Sequence, residues 1–440
     1  MSLLDLLSDA QTWNAFYEYK LSLACTKQFT GELREFIDEE RYEPVCEGIL
    51  AGRAFPLPRK SVIAKMGSDK KRVVYTYPAA ENTVLKLLTW LILRKYDGIF
   101  SDNLYSFRPG RTAKDAVRRL LRERRRTEGT AETEGLMAEG LRTAGTVLLS
   151  DESSDRRTVP LSRPLSSPLY SAYKVDIHDY FNSVPAERLV PMLERVLADD
   201  GRLCDFLEKL LLEPNVLDRG RVITEQKGIM AGTPLSSFYA NLYLAELDRH
   251  FAEAGVLYSR YSDDIIVFAD ESGDVSTHAQ YIKDFLTERG LTVNPAKECF
   301  YAPGEGFVFL GFYCGPDGVD IAPATLKKLK QKMRRKRDAL ARWAKRNEVE
   351  GEKAAKAFIR IFNRKLLEAP QDNELSWSNW FFPVIDTTSS LHEIDIYAQD
   401  CLRYLISGRH TKKRFDVRYE DLKALGYRSL VNAYYANIAH

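Results

Sequence analysis

Two acids stand side by side, Asp263 and Asp264, within Tyr258-Ser-Arg-Tyr-Ser-Asp-Asp-Ile-Ile-Val-Phe268. The flanks are rich in Tyr, Ile and Val, which predicts two short strands closed by a tight turn. Adjacent carboxylates at a hairpin tip repel each other, and desolvation makes the repulsion worse. A divalent cation would compensate, because Mg²⁺ takes carboxylate oxygens together with substrate phosphates. An exposed Asp-Asp turn without such a role is the plain alternative. Upstream, Tyr173-Lys-Val-Asp-Ile-His-Asp-Tyr-Phe-Asn-Ser183 is another apolar-flanked strand carrying an acid, Asp176. Between the two, Gly228 to Asp248 reads as a glycine turn running into a helix. Leu235, Phe238, Leu242 and Leu244 give that helix an apolar side suited to packing under a sheet.

Composition sets outer bounds. A chain of 440 residues suggests two to three subdomains. The net charge of +2 does not announce a polyanion partner, but the charge distribution does. Leu326 to Arg346 holds eleven basic residues and one acid, with Leu326, Leu329, Met333, Leu340 and Trp343 at helical spacing. Such a one-sign run repels itself unless a polyanion covers it. A membrane surface is the weaker alternative. Six scattered cysteines suggest neither a zinc site nor a disulfide framework and fit reduced thiols. No apolar run is long enough to span a membrane, and the N-terminus lacks the basic region of a signal peptide. A cytoplasmic location is the expectation.

Residues 1 to about 50 read as helical, with Trp13, Phe16, Tyr17, Tyr19 and Leu21 on a partly periodic face. Pro56 to Pro78 reads as a hairpin with Lys65 and Arg72 near its tip, and Asn82 to Tyr96 as an apolar-periodic helix. In Tyr105-Ser-Phe-Arg-Pro-Gly-Arg111, a Pro-Gly turn presents Arg108 and Arg111 rigidly and Phe107 offers a stacking face. The alternative is that Phe107 is core and Arg108 pairs with a buried acid. Residues 126–170 are poor in large apolar side chains and read as a flexible insertion. Residues 351–440 form a helical tail with Trp377, Trp380, Phe381 and Phe382.

Acid strand, glycine turn and helix, then Asp-Asp hairpin, in that order, resembles motifs A, B and C of reverse transcriptases. Tyr261-Ser-Asp-Asp264 fits their Tyr-X-Asp-Asp box. The resemblance runs from about Lys65 to Gly311 and points to a bacterial, group II intron-like enzyme. It implies an α+β right-hand polymerase: fingers over 1–171, palm over 172–320, a basic helical thumb over 321–370 and a helical C-terminal extension over 371–440. It implies Asp176, Asp263 and Asp264 as ligands of two Mg²⁺ ions, with Mn²⁺ as a substitute and the backbone carbonyl of Ile177 assisting. Lys65 and Arg72 would hold the incoming triphosphate, Arg in a fork and Lys as a point charge. Phe181 matches the steric gate that excludes a ribose 2′-hydroxyl. Gly232 would let a bound base pair approach the backbone, although Met230-Ala231-Gly232 lacks the Gln that family members often carry. Lys297, in a motif D-like Leu291-Thr-Val-Asn-Pro-Ala-Lys297, would protonate or hold the departing pyrophosphate. Phe107, Arg108 and Arg111 would lie along the template. Gly311, in Phe307-Val-Phe-Leu-Gly-Phe-Tyr313, would admit the primer backbone, and Lys330, Arg334 and Arg337 would contact the duplex.

The implied partners are an RNA template, a DNA or RNA primer and deoxynucleoside triphosphates. The tail resembles those of "unknown group" bacterial reverse transcriptases, many of them phage-defence enzymes. That implies a cognate non-coding RNA and a homo-oligomer or second defence protein. Alternatives are the enzyme of a diversity-generating or group II intron element, a template-independent DNA polymerase, and a non-catalytic RNA-binding scaffold.

Overall fold

The computed structural model describes residues 1–23, 25, 27–64, 71–123, 170–226, 228–270, 273–316, 318–368 and 377–438. Lys65 and the 126–170 segment lie outside the described residues, apart from Tyr170. The chain is α+β, as expected, and its described residues hold eleven strands in three sheets among many helices. The strands are β1 (Arg59–Ala64), β2 (Lys71–Thr76), β3 (Ser171–Asp176), β4 (Asn215–Asp218) and β5 (Arg221–Thr224). They continue with β6 (Tyr258–Tyr261), β7 (Asp264–Ala269), β8 (Cys299–Tyr301), β9 (Phe307–Phe309), β10 (Phe312–Gly315) and β11 (Gly318–Ile321).

The central sheet runs β6-β7-β3-β8 and is antiparallel throughout. Side chains alternate between its faces, so each strand feeds two cores. On β7, Ile265, Val267 and Ala269 join the first core, while Ile266 and Phe268 join the second. This double burial accounts for the unbroken apolar run after Asp264. The first core takes in the N-terminal helices, where Trp13 stacks on Tyr42 at 4.8 Å, and helix Ala79–Lys95, whose middle is buried except at Lys86. Trp13 and Phe16 are buried as expected, but Leu21 is exposed. Helix Ser236–Tyr243 is buried on nearly every side. The second core joins β9, β10 and β11 to helices Pro323–Arg346, Gly351–Leu366 and Ser389–Ser407.

The β1–β2 hairpin forms a separate sheet, ordered β2-β1-β4-β5. It is tied to the glycine turn after β5, where the Tyr75 amide donates to the Ala231 carbonyl at 2.8 Å. No helix among the described residues is long and apolar enough to cross a membrane.

Candidate active site

Register brings the acids together. Asp176, last in β3, stands directly across from Asp264, first in β7. Tyr261 pairs with Asp264, which leaves Ser262-Asp263 as a two-residue hairpin turn. Ser262 has φ +59° and Asp263 a normal φ, the pattern of a type II′ turn. The Ile177 amide then donates to the Asp263 carbonyl at 3.1 Å, locking the turn onto the end of β3. Carboxylate oxygens from Asp176, Asp263 and Asp264 lie within 4.8 Å of one another. Burial first, and Asp176 second, push the Asp263 carboxyl up. Burial also pushes Asp264 up, to about 6, against the pull of Lys174. Three crowded carboxyl groups, with Asp263 and Asp264 pushed up, are what a hard cation relieves, and oxygen-only donors suit Mg²⁺ or Mn²⁺. The residues therefore fit such an ion.

The triad lines a cleft of about 990 Å³. The same cleft is lined by Ile177, Phe181, Arg72, Gly232, Phe107 and Lys297, drawn from five separate stretches of chain. Lys297 sits on the one-turn helix Pro295–Lys297, and its ammonium pairs with Asp176. Asn294 adds a hydrogen bond to Asp176 at 3.2 Å. Arg72 is close enough to favour the charged form of Asp263. Phe181 meets Phe107 edge to face, with centroids 6.3 Å apart. Of the eight described non-glycine residues with positive φ, four line this cleft: Phe107, Asp179, Ser262 and Leu310. Such strain costs about 1–3 kcal/mol per residue and gathers where geometry is imposed by surrounding structure.

Some expected contacts are redirected. Arg108 is engaged by the protein itself. Its side chain is 3% exposed and forks onto Asp97 at 2.8 Å, with further bonds to the Ser101 and Leu104 carbonyls. Arg111 likewise turns back onto Asp102 and over the Tyr105 ring. Gly232, at φ +99°, is needed where the protein meets itself: a Cβ there would lie 3.1 Å from the Tyr75 carbonyl. Gly311, at φ +89°, accepts from the Ala322 amide through its carbonyl, tying the β9–β10 turn to the start of the basic helix.

The basic helix Pro323–Arg346 explains two more. Leu326, Met333, Leu340 and Ala344 are buried on it, and Lys330 and Arg337 complete the same heptad-spaced seam. Lys330 therefore pairs with Glu393 and Arg337 lies 4.9 Å from the Tyr404 ring, both on helix Ser389–Ser407. Both cations are engaged with protein. Arg334, in contrast, is 69% exposed.

Sequence reasoning missed the support beneath the hairpin. Arg260 and Asp248 form a fully buried ion pair at 2.6 Å, and Tyr258 donates to the same carboxylate at 3.0 Å. Arg260 also donates to the carbonyls of Ser262 and Asn241, at 3.2 Å each. Ser106 Oγ accepts from the Ser262 amide at 2.9 Å and donates to Asn241 Oδ1 at 3.1 Å. The Ser-Phe-Arg-Pro-Gly stretch is thus mainly a scaffold for the Asp-Asp turn. The one available signal was polarity inside apolar surroundings: an Arg in a strand, an Asn on helix Ser236–Tyr243 and an Asp on helix Ala245–Glu253. Trp380, which had no assigned role, lines the cleft from the C-terminal side.

Replacing Ser106 by Ala is expected to leave the Ser262 amide unpaired, at a cost of about 1–3 kcal/mol. Turnover at this site should fall by about ten- to a hundredfold through misplacement of Asp263, with KM unchanged. Steady-state kinetics beside a melting curve would check this.

Residues 63–314, more than half of the chain, match the family described as Reverse transcriptase (RNA-dependent DNA polymerase). No curated protein matches the chain. Among solved structures, the chain is similar to apo telomerase from Candida tropicalis truncated from its C-terminal domain. There the identity is 12% and the TM-score 0.41, over 61% of this chain and 55% of that one. The longer apo telomerase from Candida tropicalis gives 11% and 0.42, over 84% and 68%. Telomerase from Candida albicans in complex with a TWJ fragment of telomeric RNA gives 11% and 0.40, over 90% and 71%. The chain thus spans little more than half the length of the first of these.

Proposed function

Because this chain belongs to the reverse transcriptase (RNA-dependent DNA polymerase) family, we propose that it extends a primer 3′-hydroxyl with deoxynucleotides along an RNA template. The observation that carries this reading is the register pairing of Asp176 with Asp264 beside Asp263 in a cleft large enough for nucleotide and strand. Two Mg²⁺ ions held by Asp176, Asp263, Asp264 and the Ile177 carbonyl would activate the 3′-hydroxyl and neutralise the leaving pyrophosphate. The rest falls to the chain. Arg72 binds phosphate oxygens from the β2 side of the cleft. Lys297, paired with Asp176, swings to the pyrophosphate and donates a proton or holds its charge. Lys65, which lies outside the described residues, is assigned the same anionic group on the family resemblance. Gly232 and Ala231 hold the β1–β2 hairpin in place through Tyr75. Gly311 positions the primer-side turn, while Arg334 and its exposed basic neighbours lie on the duplex.

Phe181 acts as the gate against ribose. It borders the cleft beside Asp176, with its ring buttressed by Phe107 and Tyr180. Phe181→Ala is expected to lower discrimination against ribonucleotides at least about tenfold, the scale set by a steric fit in a pocket. Competition between deoxy- and ribonucleotides at one template position measures it.

We further infer a role in phage defence with a cognate non-coding RNA, alone or with a second protein, supported by the resemblance of the tail. Purifying the protein with its bound nucleic acid, sequencing that material and supplying Mg²⁺ with labelled deoxynucleotides tests both readings. Product complementary to one small RNA supports them. Product that survives RNase pretreatment would instead mean template-independent synthesis, and no product at all would favour a scaffold.

A further inference from the structure

The stretch after Leu291 is threaded along the end of the strand that carries Asp176. Ile177 and Val293 form an antiparallel bridge, and the His178 amide donates to the Thr292 carbonyl at 2.8 Å. The Asn294 amide donates to the Asp176 carbonyl at 2.7 Å. Pro295 then opens the one-turn helix Pro295–Lys297, where the Lys297 amide donates to the Asn294 carbonyl at 2.9 Å. Proline suits that first position, because its φ is already helical and its missing N–H is not needed there. The turn carries Lys297 back to the same aspartate that Asn294 already holds.

The two oxygens of Asp176 are divided between these partners. Oδ1 accepts from the Asn294 side-chain amide at 3.2 Å, and Oδ2 is paired with the Lys297 ammonium. The partners differ in kind. An amide is neutral, so it orients a carboxylate and leaves its charge in place. An ammonium is a compact point charge on a flexible stem, and it offsets the charge it meets. The Asp176 side chain is 4% exposed and that of Lys297 46%, so the lysine head can turn to solvent while the acid stays. A divalent cation at the triad needs that same carboxylate charge, and two positive centres on one oxygen repel each other. Lys297 also favours the charged forms of Asp263 and Asp264, so its field reaches all three acids.

We propose that Asn294 and Lys297 act on the metal site in opposite directions. Asn294 is a positioning residue that fixes the Asp176 carboxylate for a divalent cation, and Lys297 competes with that cation for the remaining oxygen. Binding of the cation releases Lys297 into the cleft that both residues line. By linkage, the lysine weakens the cation as much as the cation weakens the lysine. The inference rests on the metal-dependent polymerase reading and adds an order of events to it: Lys297 is free to meet a leaving group only once the cation is in place.

The test titrates the full chain with Mn²⁺, without nucleic acid or nucleotide, and reads binding by calorimetry. The pH is set well above the value of about 6 to which Asp264 is raised, so that the acids are ionised. Lys297→Gln is expected to tighten Mn²⁺ binding at least about fivefold, the low end of a coupling between two ligands of one protein. Lys297→Arg keeps the charge and should stay within about threefold of the wild type. Asn294→Ala should weaken binding about tenfold, the scale of a partner lost from behind a metal ligand. A merely structural loop would weaken binding in both variants or in neither. Melting curves confirm that each variant is folded. A Lys297→Gln chain that binds Mn²⁺ no tighter overturns the competition, and an Asn294→Ala chain that binds it as well as the wild type overturns the positioning. Failure of the polymerase reading looks different: the wild-type chain would make no product while the two affinities still moved in opposite directions.

Discussion

Asp263→Asn is expected to abolish DNA synthesis, by about 10³-fold or more, while leaving the fold intact. Each factor of ten is about 1.4 kcal/mol of transition-state stabilisation, and a bound metal supplies several kcal/mol of it. Asn keeps the size and one carbonyl oxygen of the side chain but not the negative charge that a hard cation needs. The fold should not suffer, because the contacts that shape the turn are backbone ones. They are the Ile177 amide to the Asp263 carbonyl and the Ser262 amide to Ser106. Removing one of three crowded, buried carboxylates also relieves repulsion. The metal-free variant should therefore melt at the same temperature as the wild type or slightly higher. Divalent cations should stabilise the wild type through binding and the variant less. Primer extension beside melting curves with and without Mg²⁺ reads both, and full activity in the variant would sink the catalytic assignment.

The second large effect lies under the hairpin. Arg260 and Asp248 are fully buried and serve each other, so removing either strands a charge in the core. Arg260→Met is expected to cost about 3–5 kcal/mol. Replacing both, as Arg260→Met with Asp248→Leu, should recover much of that loss, because a buried ion pair adds little over well-packed apolar groups. Activity should not recover with stability. The double variant still lacks the donors that Arg260 gives to the Ser262 and Asn241 carbonyls, so the Asp-Asp turn keeps only its bonds to Ser106 and the Ile177 amide. Denaturant unfolding of both single variants and the double closes the cycle. A double variant as unstable as either single one would show that the pair's surroundings, not its charges, set the cost.

These residues mark where sequence reasoning worked and where it stopped. The acid strand, the glycine turn and the Asp-Asp hairpin were legible because their signals are local. Alternating apolar flanks identify strands, and adjacent acids at a turn demand compensation. The Arg-Pro-Gly-Arg turn was read with its arginines pointing outward, toward nucleic acid. Asp97 and Asp102, which take those arginines, lie within a dozen residues of them. Spacing alone does not say which way a loop folds. Lys330 and Arg337 were read as contacts to a nucleic-acid duplex. Only the position of helix Ser389–Ser407 shows that they occupy its packing seam.

By itself the sequence determined the strands that carry Asp176, Asp263 and Asp264, the glycine positions between them and the basic helix that follows. Each depends on periodicity or on turn chemistry within about ten residues. Tertiary structure decided which charges are free to meet a ligand and which are consumed by the fold. Asp248 and Arg260, and Ser106 and Ser262, are brought together from stretches that carry no mutual signal. A buried polar group must find its partner wherever packing places one, and that partner is set by the sheet and helices around it rather than by neighbours in the chain.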